Sequence, residues 1–234
     1  MTKAIWTCRA FLLGYFLVLH FTADTYTFLI LNVGLAYIPF EIAVFLTKKP
    51  RVWWIFWPLG IVWLVFFPNA PYLLTDLLHL QRLEIYGAEG ILSTAPWLWR
   101  HFTYIIVGVF FGLFIGFWSF AKMLAEIRRR FNWTSLLSYQ LLLIGLILLS
   151  SYAIYIGRFS RLHSIHLLTQ PIDSLQIMFS VFHWPFWNFV FYFSIIQYVI
   201  YTLFSRFSSS LKTKNVCILG KLIFLNTNVF LIDM

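Results

Sequence analysis

The chain has 234 residues, 61% of them hydrophobic and 21% aromatic but only 11% charged, with a net charge of +9 and a mean hydropathy of +0.83. Soluble domains run at about 45–50% apolar and about 25% charged, so an ordinary soluble fold is excluded. The basic residues sit in short clusters between apolar runs, as topology signals do, and nucleic acid is not an expected partner.

A polytopic all-α membrane protein follows, because no ~10-residue stretches of alternating polarity suggest a barrel. Six segments approach the ~20 residues needed to cross a ~30 Å hydrocarbon core: 6–22, 27–47, 52–67, 101–121, 136–156 and 181–204. The first lacks a small-residue cleavage site after its apolar run and reads as a retained anchor. With the N-terminus in the cytoplasm, only Arg82, Arg100, Arg158 and Arg161 of the 17 Lys and Arg fall outside. The positive-inside rule therefore predicts both ends inside. Residues 1–205 form one six-span domain on this reading. Residues 206–234 are a basic, then apolar, tail whose insertion into the membrane is left open.

The second span carries Glu41, two residues after Pro39. An intramembrane acid marks a functional hypothesis, and proline can free carbonyls as in broken transporter helices. Lys48 lies within two turns and offers an ion pair instead.

"FFPNAPYLLTDLLHL", Phe66 to Leu80, closes the third span at Pro68. Asn69 suits an N-cap, with Pro71 tolerated in the first turn of a new helix. Tyr72, Asp76 and His79 then share one face at i, i+4 and i+7, in an interfacial or re-entrant helix near 69–80. Either Asp76 is solvated at the headgroup level, or it orients His79 for acid–base work or metal ligation.

The fourth span places Gly108, Gly112 and Gly116 on one face, which suits close packing inside the bundle or against a partner helix. "EIRRR", Glu126 to Arg130, reads as a topology anchor. The fifth span ends in "GRFSRLHSIHLLTQP". Arg158 and Arg161 can snorkel to lipid phosphates or clamp a phosphate or carboxylate. His163 and His166 could join Asp76 and His79 as metal ligands. Their spacing is generic, so no metal is assigned and the cofactor is unknown.

These two motifs, with "NVGLAYIP" from Asn32 to Pro39, resemble the bacterial membrane-protein family called domain of unknown function 1361, over roughly residues 25–205. The first motif matches closely. In the second, Gly157, Arg158, Arg161, Ser164, Leu167, Leu168, Thr169 and Pro171 fit the family's pattern. Leu162, His163, Ile165, His166 and Gln170 stand where Trp, Asn, Trp, Asp and Asn are expected. The resemblance implies an integral membrane protein and no established activity.

The sequence thus predicts a site on the extracytoplasmic face, built from 68–80 and 157–171, that binds or acts on an anionic lipid or envelope component. Arg158 and Arg161 would hold the anion, with Ser164 beside them. Asp76 and His79 would form an acid–base or ligand pair, positioned by Asn69 and Tyr72. The alternatives are a transporter or channel with Glu41 on the pathway, and an accessory subunit whose glycine stripe faces a partner. Whether the protein is an enzyme stays open.

Overall fold

The computed structural model describes residues 2–22, 27–49, 51–82, 86, 92–159 and 171–229. The order of helices is α1 (Thr2–Thr22), α2 (Thr27–Lys48), α3 (Trp53–Phe66), α4 (Asn69–Asp76), a 3-10 turn (Leu77–Arg82), α5 (Pro96–Arg130), α6 (Leu136–Phe159), α7 (Pro171–Ser180) and α8 (Trp184–Val229). Among the described residues the only strand-type pairing is the isolated bridge Tyr86–Leu92. The chain divides into two compact units, Met1–Ser194 and Ile195–Met234. In the second unit, Gln197 and Tyr201 are buried. The first holds the features below.

Among the described residues, six helical segments are long and apolar enough to cross a membrane: Lys3–Thr22, Thr27–Lys48, Trp53–Gln81, Pro96–Arg130, Leu136–Phe159 and Trp184–Phe207. The number is the one the sequence predicts. The third segment differs, because Pro68 does not end it. Alone, α3 would span only ~21 Å at 1.5 Å per residue, short of a ~30 Å core. Instead the chain stays in right-handed helical conformation at Phe67 and Pro68 and runs on through α4.

Two prolines explain the offset between α3 and α4. Neither Pro68 nor Pro71 has an N–H to give, so the hydrogen-bond ladder cannot pass straight through. The Ala70 N–H turns to the Phe67 carbonyl at 3.0 Å, and the Tyr72 N–H takes the Pro68 carbonyl at 2.9 Å. The Phe66 carbonyl is then met by the Asn69 side-chain amide at 2.9 Å. Asn69 is therefore not the N-cap of α4. Pro68 occupies that position without a side-chain cap, and Asn69 satisfies an orphaned carbonyl of the preceding helix.

α4 packs back among the spans. Ala70, Pro71, Leu73, Thr75 and Asp76 are buried, and the glycine stripe of α5 makes this possible. A Cβ on Gly112 would collide with the Leu73 side chain, and one on Gly116 with the Ala70 Cβ. A Cβ on Gly108 would strike the Tyr15 hydroxyl from α1. The chain's own helices thus fill the stripe, so these glycines serve intramolecular packing and not a partner helix. Phe67 anchors the junction, stacked on Phe120 at 4.8 Å and on Trp63 at 5.2 Å between ring centroids. Trp63 donates to Ser119 Oγ at 3.3 Å, and that hydroxyl donates to the Gly116 carbonyl at 2.8 Å.

Candidate functional site

α2, α4, the 3-10 turn and the end of α6 bring Asn32, Tyr72, Asp76, His79 and Arg158 together. Asp76 is fully buried, at 0% exposure, and not solvated at a membrane surface. Removing a carboxylate from water costs several kcal/mol unless it is paired, and the surrounding groups supply that pairing. Asn32 Nδ2 donates to Oδ2 at 2.8 Å. Oδ1 faces Arg158 Nη1 and His79 Nδ1, each at 3.9 Å. Those separations are too long for hydrogen bonds, though the Arg158 guanidinium still attracts the carboxylate across its 3.9 Å. Oδ1 has no hydrogen-bond partner among the described residues.

Tyr72 and Asp76 stand one α-helical turn apart, so one guanidinium can meet both. Arg158 Nη1 donates to the Tyr72 hydroxyl at 3.1 Å, and its Cζ lies 5.7 Å from the centre of the Tyr72 ring. The Arg158 side chain keeps 26% exposure. It is fixed at its inner edge and open at the outer.

His79 reaches the cluster by a route that helical periodicity does not foresee. α4 ends at Asp76 and the chain tightens into the 3-10 turn, where residues three apart eclipse one another. His79 Nδ1 comes within 3.1 Å of the Asp76 main-chain carbonyl. A carbonyl only accepts, so this bond places a proton on Nδ1 and leaves Nε2 of the neutral ring as an acceptor. Phe28 stacks on the imidazole at 4.4 Å. The ring is therefore oriented by the backbone of Asp76 and by Phe28, and not by the Asp76 carboxylate as the i, i+3 pairing suggests. His79, Arg158, Leu78 and Gln81 line an open pocket of about 380 Å³.

The sequence prediction paired Tyr72, Asp76, His79 and Arg158, and the structure brings these four together. Asn69 is engaged by its own turn. Arg161, His163, Ser164 and His166 lie outside the described residues. Among the described residues, no three of His, Cys, Asp and Glu gather to hold a metal ion. Asn32 and Phe28 are members that site reasoning missed. Asn32 carried a signal, because an amide inside a membrane span calls for an interhelical partner.

Glu41 belongs to a separate cluster. Arg9 grips it bidentately, Nε to Oε1 at 2.8 Å and Nη2 to Oε2 at 2.7 Å, and the Tyr37 hydroxyl donates to Oε1. The partner is thus Arg9 of α1, not Lys48. A salt bridge between helices prevails over one along the same helix because the planar guanidinium matches both carboxylate oxygens. The Trp6 ring lies 4.7 Å from the Arg9 Cζ.

No curated protein and no solved structure is matched by this chain. A family model described as "Protein of unknown function (DUF1361)" matches residues 31–200. That stretch begins one residue before Asn32 and includes Tyr72, Asp76, His79 and Arg158. The chain, a multi-pass membrane protein by its membrane-length apolar helices, therefore belongs to the DUF1361 family.

Proposed function

We propose that the pocket beside Arg158 binds the anionic group of a membrane or envelope component on the extracytoplasmic side. The observation that carries this reading is the fixed guanidinium. Tyr72 and Asp76 hold Arg158 from behind while its side chain remains part-exposed at a pocket it shares with His79. A guanidinium held in place recognises phosphate or carboxylate strongly, since little further ordering is needed on binding. Asp76 is too deeply buried to meet the ligand, so it positions Arg158 without repelling the anion at the surface. His79 Nε2, an acceptor in the neutral ring, can take a hydrogen bond from a hydroxyl or other donor of the same component, while Arg158 takes the anionic group.

Charge bias supports the orientation, because Arg158 lies at the opposite end of α6 from the arginine cluster at the end of α5. A bacterial plasma membrane would then put the pocket toward the envelope. Binding is the function assigned, and Asp76 and His79 need perform no chemistry for it.

A stabilisation screen tests this reading. Purified protein in detergent is heated with short-chain phosphatidylglycerol, phosphatidylcholine, inorganic phosphate and simple carboxylates. At least one anionic member should raise the Tm of the wild type and leave that of Arg158→Ala unmoved. Equal shifts in both proteins, or none from any anion, would remove the proposal.

A further inference from the structure

At the other end of the first unit lies an open groove of about 240 Å³ whose lining residues are all apolar. α3 contributes Phe56 and Gly60, α5 contributes Ile127, α6 contributes Leu146, and the link between α5 and α6 contributes Phe131 and Trp133. Gly60 keeps it open: an added Cβ would meet only the tip of Met123, at 4.0 Å. Neighbouring Ile61 is 60% exposed, so the groove opens on the flank that faces lipid.

Its mouth is built by a helix ending. Asn132 has φ 53°, a left-handed conformation that suits Asn at the residue after a helix. The Trp133 N–H returns to the Arg128 carbonyl at 3.0 Å and the Asn132 N–H to that of Arg129 at 3.4 Å. This double closure folds Trp133 back until it stacks on Phe131 at 4.9 Å.

Arginines frame that mouth. The Arg130 Cζ lies 3.8 Å from the centre of the Phe56 ring, and Arg130 shares Glu126 with Arg129. Arg128 donates to the Trp133 carbonyl at 3.2 Å and lies over the Tyr139 ring at 4.9 Å. Neither contact neutralises it, and among the described residues no carboxylate pairs with it. Two guanidiniums thus share one carboxylate and the third has none, leaving positive charge in excess at the end of an apolar groove.

We propose that this groove is a binding site for an anionic phospholipid, with an acyl chain between α3, α5 and α6 and the headgroup phosphate against Arg128. Charge complementarity selects the occupant. An acyl chain satisfies the apolar walls, and only a net-negative headgroup offsets the unpaired guanidinium above them. A water-soluble anion has no use for the groove. The positive-inside orientation assigns the site to the cytoplasmic leaflet, away from the Arg158 pocket.

Native mass spectrometry of the delipidated full-length protein in detergent, titrated with phosphatidylglycerol or phosphatidylcholine of matched chains, provides the test. The wild type should bind phosphatidylglycerol more tightly. Arg128→Gln retains a donor for the Trp133 carbonyl but loses the charge, and should weaken phosphatidylglycerol binding about fivefold, the equivalent of about 1 kcal/mol per basic residue. Arg128→Lys should keep most of the affinity, and Leu146→Trp, which fills the groove, should reduce it. If Leu146→Trp fails to fold, the Arg128 pair decides. Repeating the titration in an Arg158→Ala background separates the two sites, and the Arg128→Gln loss should persist there. Equal affinity for the two lipids, or affinity untouched by Arg128→Gln, would overturn the proposal.

Discussion

The side-chain amide of Asn32 donates to Asp76 Oδ2 at 2.8 Å, joining α2 to α4 across 44 residues of sequence. Without that donor the buried carboxylate would face only Arg158 and His79 at 3.9 Å. Asn32→Ala should therefore destabilise the protein by about 1–3 kcal/mol, the usual cost of leaving a buried polar group short of a partner. Thermal unfolding in detergent measures this. Removing the carboxylate as well, in Asn32→Ala with Asp76→Leu, should cost less than the sum of the two single changes, since the second leaves no charge to strand. Strict additivity would show that the two side chains are not coupled.

The glycines of α5 make a graded prediction. At Gly116 an added Cβ meets the Cβ of Ala70, which cannot rotate away, so backbone must move. Gly116→Ala should cost about 1–3 kcal/mol, as overpacking in a close-packed core does. At Gly112 the obstacle is the rotatable Leu73 side chain, and the loss should be smaller. Gly145→Ala on α6 meets nothing within 4 Å and should leave the Tm unchanged or slightly raised, because alanine is the better helix former. The order of the three Tm values checks the packing account.

Much of this architecture is legible in the sequence, for physical reasons that also mark where reading stops. Apolar length sets the number of spans, and Gly108, Gly112 and Gly116 announce a close helix contact through their four-residue spacing. Their partners are not legible, since Tyr15, Leu73 and Ala70 come from distant segments. Tyr72, Asp76 and Arg158 could be paired because the first two lie one helical turn apart and the third closes a span on the same side. His79 joins them by a geometry other than the one its spacing suggests. Helical periodicity aligns it with Tyr72, whereas the switch to a 3-10 turn stacks it on the Asp76 carbonyl. Asn69 shows the other limit, where a good N-cap residue is diverted because Pro68 and Pro71 leave a carbonyl unserved.

Arg9 and Glu41 define a second locus where a definite effect is expected. Their side chains are 34% and 32% exposed, so the pair is only part-buried and its contribution is modest. Glu41→Gln or Arg9→Met should each lower stability by about 1 kcal/mol, in the range of part-exposed ion pairs. A double-mutant cycle by thermal denaturation should show coupling between them. Binding at the Arg158 pocket should be unaffected by either change, which the stabilisation screen reads directly.

The central claim concerns the pocket beside Arg158, and Gln81 gives access to it as an exposed lining residue. With Cys8 and Cys217 replaced by serine, Gln81→Cys supplies a single thiol at the pocket wall. Its rate of modification by a membrane-impermeant maleimide can be followed in purified protein with and without the anion that stabilises the wild type. The account predicts that the ligand slows modification several-fold when Arg158 is present and leaves it unchanged in Arg158→Ala. Ligand-independent modification with Arg158 in place, or equal protection in its absence, would contradict it.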